Sequence, residues 1–378
     1  MKSILLSAQI VTLVLLLTAC NGRSKTSSPY TEADTIPMRH AENLLIIETK
    51  EYTEAQLRNP WDTTQILHTY FLIDKNKDVP SQLPEGTIVR TPLSKVVVYT
   101  AVHCALIKEL GALKSIGGVC DLPYIKVPEI QEGVKNGILT DAGDARTPNV
   151  ERIIDLYPDA LMLSPFENSG GYGPVEKLNI PIIECADYME TSPLARAEWI
   201  RFYGRLLGRT KIADSLFIEI EKSYLELKTL TESIKNKPTM IADLKSGSAW
   251  YTPGGRSTTG RLYADAGARY AFASHDVSGS VPLSFETVFE KGQDANFWLI
   301  KYNQAKDKTY AELEEEYAPY AGFRAFKERK IYGCNTSYVP FYEDFPFHPH
   351  LILKDLIKIF HPSLLPSHDL KYFTNLAE

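Results

Sequence analysis

Two glutamates occupy equivalent positions of an internal repeat. Glu151 lies in Asn149–Asp155 and Glu286 lies in Ser284–Glu290, and the two copies superimpose without a gap at an offset of 135 residues. Each copy begins with a helix N-cap residue, carries its Glu at the second helical position and leads into a short apolar strand. A carboxylate in the first helical turn gains about 0.3–1 kcal/mol from the helix dipole. The pattern alone therefore favours a structural role for both carboxylates.

Aromatic and arginine side chains in predicted loops are the candidates for ligand contact. Loops after the carboxyl ends of strands line the crevice of an α/β sheet, and a glycine-rich turn before a helix offers free N–H groups to an anion. The turn Gly255–Gly260 is not a nucleotide-binding P-loop, because Arg261 and Leu262 stand where that motif needs Lys and Ser or Thr. Local packing is the competing explanation for each candidate. The candidate ligand contacts are Arg146, Phe166, Tyr172, Trp250, Tyr251, Arg256, Tyr338, Phe341 and Tyr342.

The histidines do not form a metal-binding pattern. His103 opens a predicted helix, and His348 and His350 flank Pro349 without the spacing of a helical metal-binding pair. The same segments show no Ser/His/Asp order, no pair of catalytic carboxylates and no nucleophile elbow. We therefore expect no catalytic residue, no metal site and no resident cofactor.

The repeat also predicts the architecture that positions these residues. A second pair of similar segments consists of Glu109–Ala112 and Asp265–Ala268, in each of which a predicted helix ends at glycine. Together the two pairs of similar segments indicate two similar α/β lobes. Between the lobes, a helical pattern from about Pro193 to Lys235 is interrupted only at Gly204 and Gly208. Because one long helix is mechanically stiff, we expect no large hinge closure.

A short extension precedes the first lobe. Asn43–Thr49 and Gln65–Ile73 have the composition of strands, and the turn Asn59–Asp62 lies between them. The sequence therefore predicts a β-hairpin extension over residues 43–90.

The N-terminus indicates export and a lipid anchor. Lys2 is followed by the mostly apolar run Ile4–Leu17, which is shorter than the about 20 residues of a membrane span. Leu17-Thr18-Ala19-Cys20 resembles a bacterial lipobox, whose cysteine is acylated and becomes the first residue of the mature protein. This predicts a signal peptide over residues 1–19, lipidation of Cys20 and a flexible tether over residues 20–42. An ordinary secretory signal with an incidental cysteine is the alternative.

Composition limits the partners and the redox chemistry. The formal charge is −6, and loss of Lys2 with the signal makes the mature chain −7, so we expect no nucleic-acid partner. A chain of 378 residues with 44% apolar content can build two domains with full cores. Cys104 and Cys185 lie in apolar segments and are predicted core residues. The sequence neither selects nor excludes a disulfide through Cys120 or Cys334.

Seven segments follow one another in an order typical of one protein family. A long helical pattern lies between the fourth and the fifth, and the lipobox precedes them all. In this order the chain, from about residue 40 to its end, resembles a periplasmic iron-siderophore/vitamin B12-binding protein of an ABC importer. The segments are Val96–Tyr99, Glu109–Ala112, Pro148–Ile153, Asp159–Leu163, Trp250–Ser257, Pro282–Glu286 and Asp355–Pro362.

The resemblance implies an α/β fold with two Rossmann-like lobes joined by one long α-helix, behind the β-hairpin extension. The expected boundaries are 91–191 for the N-terminal lobe, 192–236 for the interlobe helix and 237–378 for the C-terminal lobe and C-terminal helix. It also implies that Glu151 and Glu286 project from the tops of the lobes and pair with arginines of a permease dimer.

The implied function is capture of a metal chelate in the cleft between the lobes. The ligand is an iron siderophore or cobalamin, and haem is the alternative within the same importer class. We expect a monomeric lipoprotein that faces the periplasm, works with a permease and its ATPase, and is not itself an enzyme. A cell-envelope enzyme on the same scaffold and an adhesion or scaffolding lipoprotein are the alternatives from other classes.

The anchoring prediction concerns Cys20. If this cysteine carries the acyl chains, Cys20→Ser removes the anchor, since two or more chains are needed to hold a protein stably at a membrane. We expect the variant to appear in the soluble fraction or to remain unprocessed, as measured by membrane fractionation and by the mass of the mature chain. Unchanged processing together with unchanged membrane association would contradict the lipobox assignment.

Overall fold

The structure is a computed structural model that describes residues 34–62, 64–166 and 171–378. The predicted signal peptide 1–19, the predicted lipidation site Cys20 and residues 21–33 of the predicted tether lie outside the described residues.

The N-terminal extension is a five-stranded sheet, so the prediction of a β-hairpin was wrong in extent. The strands follow chain order across the sheet; their pairing is antiparallel except between the last two. The third strand escaped prediction because Thr-Glu-Ala-Gln-Leu-Arg has little intrinsic strand preference and is held by partners on both sides. The strands are β1 (Asp34–Ile36), β2 (Leu44–Glu48), β3 (Thr53–Arg58), β4 (Ile66–Asp74) and β5 (Thr87–Thr91).

Residues 34–42 belong to the folded body, which corrects the C-terminal part of the predicted tether. The Glu198 carboxylate, which is fully buried, accepts hydrogen bonds from the backbone N–H groups of Arg39, His40 and Ala41 at 3.0, 2.8 and 2.9 Å. Buried Glu190 accepts from the next two N–H groups, those of residues 42 and 43, at 3.1 and 3.0 Å. Five consecutive backbone donors are thus satisfied by two carboxylates, which fastens this segment to the middle of the chain.

The N-terminal lobe is a parallel sheet with helices on its faces. Its strand order is β10-β9-β6-β7-β8. All three residues of β6 and all four of β9 are buried, as expected for central strands covered on both faces. The elements are β6 (Val96–Val98), α1 (Ala101–Glu109), β7 (Ile116–Val119), α2 (Pro128–Lys135), β8 (Thr140–Asp141), α3 (Val150–Leu156), β9 (Ala160–Leu163) and β10 (Ile182–Glu184).

The interlobe segment consists of consecutive helices, which corrects the prediction of one long helix. Gly208 has φ +65°, a left-handed conformation that ends the second helix. Gly204 does not interrupt the helix; a Cβ there would lie 2.2 Å from the Cβ of Ala213, so this glycine lets two helices cross closely. The helices are α4 (Pro193–Glu198), α5 (Ile200–Leu206) and α6 (Thr210–Glu232).

The C-terminal lobe has a second sheet of order β14-β11-β16-β17-β18, parallel except for its last strand, and a small antiparallel sheet of order β12-β13-β15. Its elements are β11 (Thr239–Ala242), β12 (Lys245–Ser246), β13 (Ala249–Pro253), α7 (Thr258–Asp265), β14 (Arg269–Tyr270), β15 (Ser280–Leu283), α8 (Phe285–Gly292), β16 (Phe297–Tyr302), α9 (Tyr310–Glu316), α10 (Arg324–Lys327), β17 (Ile331–Asn335), α11 (Phe341–Asp344), α12 (Pro349–Phe360) and β18 (Thr374–Asn375).

The internal repeat is confirmed by topology. The order β7-β6-β9-β10 of the first lobe matches β14-β11-β16-β17 of the second, and α3 and α8 lead into the equivalent strands β9 and β16. Both helices are capped by the predicted residue: the Asn149 side chain accepts from the N–H of Arg152, and the Ser284 side chain accepts from the N–H of Thr287. The fold is therefore the predicted pair of α/β lobes.

A buried polar cluster joins the lobes to the interlobe helices. Asp187 accepts hydrogen bonds from Tyr203 Oη at 2.7 Å and from Arg196 Nε at 3.0 Å, and its Oδ1 lies 3.0 Å from Nε2 of His103. Burial alone would lower the pKa of His103, but Cys185 and Asp187 more than offset it and raise that pKa to about 10. The ring of Phe347 from the C-terminal lobe packs edge-on against His103 at 6.0 Å.

The four described cysteines are all buried thiols. Cys104 and Cys185 are buried, as predicted, and Cys120 and Cys334 are likewise buried and free, so none of the described cysteines forms a disulfide. In the described ranges no helix combines the length and the apolar character that crossing a membrane requires.

The cluster predicts a pH-dependent contribution to stability. A histidine whose folded pKa is raised stabilises the protein fully below its unfolded value of about 6.5, and this stability is lost as the pH rises toward the folded value of about 10. We expect the difference in unfolding free energy between the parent and His103→Gln to be largest at pH 6 and to shrink steadily up to pH 10. Urea unfolding at several pH values measures it.

The control is His275→Gln, because the His275 ring packs on Phe272 rather than in an ion pair. A His103→Gln effect that does not change with pH would contradict the assignment of a charged imidazole.

Candidate ligand-binding site

Each lobe has a point where its strand order reverses. The chain leaves β6 for β7 on one side and later places β9 on the other side, and β11 stands in the same relation to β14 and β16. In open α/β sheets the binding crevice lies outside the carboxyl ends of the strands at such a point. The candidate site is therefore bounded by the loops that follow these strands in both lobes, here called the two carboxyl edges.

The two carboxyl edges face each other. Lys126, in the loop after β7, donates from Nζ to the backbone oxygen of Thr336, in the loop after β17. Away from these edges a second contact joins the lobes, since Nε2 of His348 lies 2.7 Å from Oε2 of Glu109. The loops that follow β7 and β17 therefore meet at this contact.

Exposed aromatic rings concentrate at these edges. One lies in the turn after β7, one follows β9 and two follow β17. A soluble surface rarely groups large exposed rings without a function. They are Tyr124, Phe166, Tyr338 and Tyr342, with 73%, 66%, 66% and 54% of their surface exposed.

Two of the residues predicted to contact the ligand, Tyr172 and Tyr338, lie near the carboxyl edges and already donate hydrogen bonds from their hydroxyls to other protein groups. The Tyr172 hydroxyl donates to Oε1 of Glu184 at 2.7 Å, so its half-buried ring is held against the lobe. Tyr338 donates from its hydroxyl to the backbone oxygen of Ala305, which leaves the ring face free. Both residues are placed by hydrogen bonds rather than left loose.

The remaining predicted ligand contacts are exposed residues: Arg146, Tyr251 and Arg256. Arg146 is exposed in the loop after β8. Tyr251 is exposed on β13, and Arg256 follows that strand with its Nε 2.8 Å from Oδ1 of Asp276. A pair this exposed is screened by water and leaves the guanidinium available.

The prediction that Trp250 and Phe341 contact the ligand was wrong, because the structure buries both side chains. Trp250 is fully buried: its Nε1 donates to the backbone oxygen of Ala242 at 2.9 Å and its ring stacks on Trp298 at 5.5 Å. Phe341 stacks on Phe345 at 5.6 Å inside the C-terminal lobe. The alternation of a strand sends Trp250 inward and Tyr251 outward, so one of two adjacent aromatics belongs to the core.

The structure also shows charged residues that sequence reasoning missed. Asp243 directly follows β11 and Lys301 lies near the end of β16, so both are at the point where the second sheet reverses; Lys301 Nζ donates to Asp243 Oδ1. Burial opposes the charge of Lys301, but Asp243 and Tyr263 raise its pKa above the ordinary value. A single Lys within the apolar run of β16 was the available signal.

Glu151 and Glu286 lie at equivalent places on the two lobes. Each is exposed in the first turn of α3 or α8. Because these helices run antiparallel to the strands they precede, their N-termini stand at the carboxyl edges. Hydrogen bonds from its own backbone N–H and from Ser284 lower the pKa of Glu286, so this carboxylate is charged at neutral pH.

The arrangement offers contact area and a few fixed charges. The exposed rings present flat apolar faces. The Asp243–Lys301 ion pair places two charged groups at the carboxyl edge of the second lobe. Across residues 34–62, 64–166 and 171–378, no group of three or more His, Cys, Asp or Glu side chains is placed to hold a metal ion. The described geometry thus places exposed rings and one ion pair at the carboxyl ends of strands from both lobes.

Comparison with known proteins identifies the family of the chain. A family model described as "Periplasmic binding protein" matches residues 96–338. An uncharacterized lipoprotein of Methanocaldococcus jannaschii is 23% identical over 378 aligned positions, which cover 93% of this chain and 89% of the relative.

Solved structures share the fold. A protein of the ABC-type Fe3+-hydroxamate transport system of Saccharomonospora viridis superimposes with a TM-score of 0.55 and 16% identity, covering 71% of this chain and 94% of that one. The periplasmic vitamin B12-binding protein of Vibrio cholerae gives a TM-score of 0.54 and 14% identity, covering 72% and 99%.

Proposed function

The chain belongs to the periplasmic binding protein family, and we propose that it is the substrate-binding lipoprotein of an ABC importer that captures an iron siderophore or cobalamin. In this proposal the ligand binds in the cleft between the two carboxyl edges and is handed to an inner-membrane permease dimer. ATP is hydrolysed by a separate subunit, so this chain binds and releases its ligand unchanged.

The grouping of exposed rings on both edges is the observation that supports a chelate ligand. Tyr124 and Phe166 come from the first lobe, and Tyr338 and Tyr342 come from the second, so a ligand in the cleft meets aromatic faces from both sides. Siderophores and corrinoids are large, partly apolar molecules, and flat rings give them contact area at little cost in conformational entropy. The names of two similar structures, one tied to Fe3+-hydroxamate transport and one to vitamin B12, support the same ligand classes.

We also propose that the protein is held at a membrane through Cys20 and works outside the cytoplasm. In this proposal residues 21–33 connect Cys20 to β1, which begins at Asp34. The relative in Methanocaldococcus jannaschii is named as a lipoprotein, which supports this placement.

The binding prediction compares rings at the edges with a ring elsewhere. Phe166→Ala and Tyr338→Ala remove exposed rings at the cleft, and each is expected to weaken binding by about tenfold, since an aromatic contact contributes about 0.5–1.5 kcal/mol beyond its area. Tyr157→Ala is the matched control: that ring is 81% exposed but ends α3 at the opposite, amino edge of β9. Isothermal titration with a ferric hydroxamate siderophore, cyanocobalamin and haemin measures affinity.

Each result has a distinct meaning. Binding of haemin alone would favour the haem alternative, and conversion of any ligand to a product would favour an enzyme. Binding of none of the three, or equal loss in the Tyr157 control, would contradict the proposed site.

We further propose that Glu151 and Glu286 dock onto arginines of the permease dimer, one lobe to each subunit. Both are exposed, and they stand at the same edge of equivalent lobes. Charges of this kind steer association and fix its register more than they set affinity.

The docking prediction concerns the double variant Glu151→Ala/Glu286→Ala. Fold and ligand affinity should stay close to the parent, because loss of the helix-dipole interaction costs no more than about 1 kcal/mol per site. Uptake in cells should fall sharply, and the salt dependence of permease association should weaken. Glu226→Ala/Glu314→Ala removes the same charge from exposed sites on other helices and serves as the control. Normal uptake in the Glu151→Ala/Glu286→Ala variant would show that these carboxylates do not dock onto the permease.

A further inference from the structure

We propose that Lys126 of the first lobe and Lys301 of the second lobe form a subsite for an acidic group of the ligand, so that the chelate captured by this protein carries a carboxylate. The inference rests on the proposed function, because it names the chemical class of the ligand that binds between the two carboxyl edges.

Lys301 lies at the carboxyl edge of the second lobe with donors to spare. The pairing of β16 and β17 places Lys301 opposite Cys334, and Asp243 follows the neighbouring strand β11. Nζ of Lys301 donates to Oδ1 of Asp243, and across the described ranges this carboxylate is the one hydrogen-bond acceptor found for it. An ammonium group carries three N–H donors. Two donors are therefore available to a ligand, and 19% of the Lys301 side chain remains exposed.

Lys126 brings a second ammonium group to the same place from the first lobe. It is exposed in the loop after β7, and its Nζ donates to the backbone oxygen of Thr336, two residues beyond Cys334. Burial raises the pKa of the Cys334 thiol to about 12 against the opposing effect of the ammonium groups of Lys301 and Lys126, so both groups lie near this thiol. Two cations from different lobes therefore stand close to one point between the lobes.

The carboxylates in the same region already have donors of their own. Asp355, which also acts on the Cys334 thiol, is fully buried and accepts hydrogen bonds from the backbone N–H groups of residues 371–373. Three carboxylates of the first edge accept from backbone N–H groups of the loop after β8, at 2.9, 2.9 and 2.8 Å; they are Asp121, Asp141 and Asp144. A ligand carboxylate between the two lysines therefore gains charge-assisted hydrogen bonds, which are stronger than neutral ones.

The subsite adjoins the exposed rings of the second edge. Burial raises the pKa of the Tyr342 hydroxyl and the ammonium group of Lys301 lowers it, so these two groups are neighbours. Tyr338 follows Thr336 by two residues, and the rings of Tyr338 and Tyr342 are 66% and 54% exposed. A chelate that stacks on these rings can thus place an acidic group at the lysines.

The test changes one charge on the ligand and leaves its metal site unchanged. A linear ferric trihydroxamate with a terminal amine is compared with its N-acetyl and N-succinyl derivatives, whose termini are cationic, neutral and anionic in that order. Haemin is compared with its dimethyl ester, and cyanocobalamin with its monocarboxylic acid. In isothermal titration of the full mature chain, we expect the carboxylate form of the class that binds to bind about tenfold more tightly than its neutral form.

Loss of either lysine should weaken this preference. Lys126→Met and the paired change Lys301→Met/Asp243→Asn should each reduce the preference for the carboxylate form by at least about threefold. The paired change avoids leaving the Asp243 carboxylate without its cation. Asn also suits the left-handed φ of +66° at residue 243.

The controls remove equivalent charges away from the two edges. Lys135→Met removes an exposed lysine from the last turn of α2 in the first lobe. Lys228→Met/Asp265→Asn removes a Lys–Asp pair of 3.0 Å between helices α6 and α7. Both controls should keep the preference of the parent.

Equal affinity of the parent for the carboxylate and neutral forms would overturn the subsite while the proposed function stands. Tighter binding of the amine form would also overturn it, because Asp243 rather than the lysines would then recognise the ligand. A preference that survives in both lysine variants would do the same. If the parent binds none of the probes, the proposed function fails and this inference fails with it.

Discussion

The relative position of the two lobes depends on the buried carboxylate of Asp187. It is contacted by His103 from the first lobe and by Arg196 and Tyr203 from the interlobe helices. The ring of Phe347 from the second lobe packs on Tyr203 at 5.9 Å. An isolated buried charge is costly, so this carboxylate is tolerated only with its donors in place. The cluster therefore connects the first lobe, the interlobe helices and the second lobe through one set of buried contacts.

Buried carboxylates also fasten residues 39–43 to the interlobe region. Glu190 and Glu198 accept five consecutive backbone N–H groups, and Glu190 also accepts from the indole Nε1 of Trp199 at 2.9 Å. Its backbone oxygen in turn accepts from the Thr258 hydroxyl of the second lobe at 2.9 Å. The N-terminal segment, the interlobe helices and the second lobe therefore meet at these two glutamates.

The features that recur in both lobes could be predicted from the sequence, whereas features that depend on contacts between distant parts of the chain could not. The 135-residue repeat was sufficient for the paired lobes, their capped helices and the equivalent placement of Glu151 and Glu286, because capping and strand patterns are local. The break after Glu198 and the strand β3 were missed, and Gly204 was wrongly taken as an interruption. Only tertiary contacts show that a glycine serves close helix packing or that a strand of weak propensity is paired on both sides. In the site, Trp250 was assigned to the wrong face, because the choice of which neighbouring aromatic points inward depends on the register of β13.

The proposed function requires that a metal chelate bind between the two carboxyl edges and touch both lobes. The most direct test is fluorine NMR of protein carrying fluorotyrosine, recorded with a ferric hydroxamate siderophore and with its diamagnetic gallium analogue. Paramagnetic iron in the cleft should broaden the signals of Tyr124 on the first lobe and Tyr338 on the second, while the gallium complex should not, and Tyr157 at the opposite edge should stay sharp in both. Broadening at Tyr157, or at one lobe only, would contradict the account.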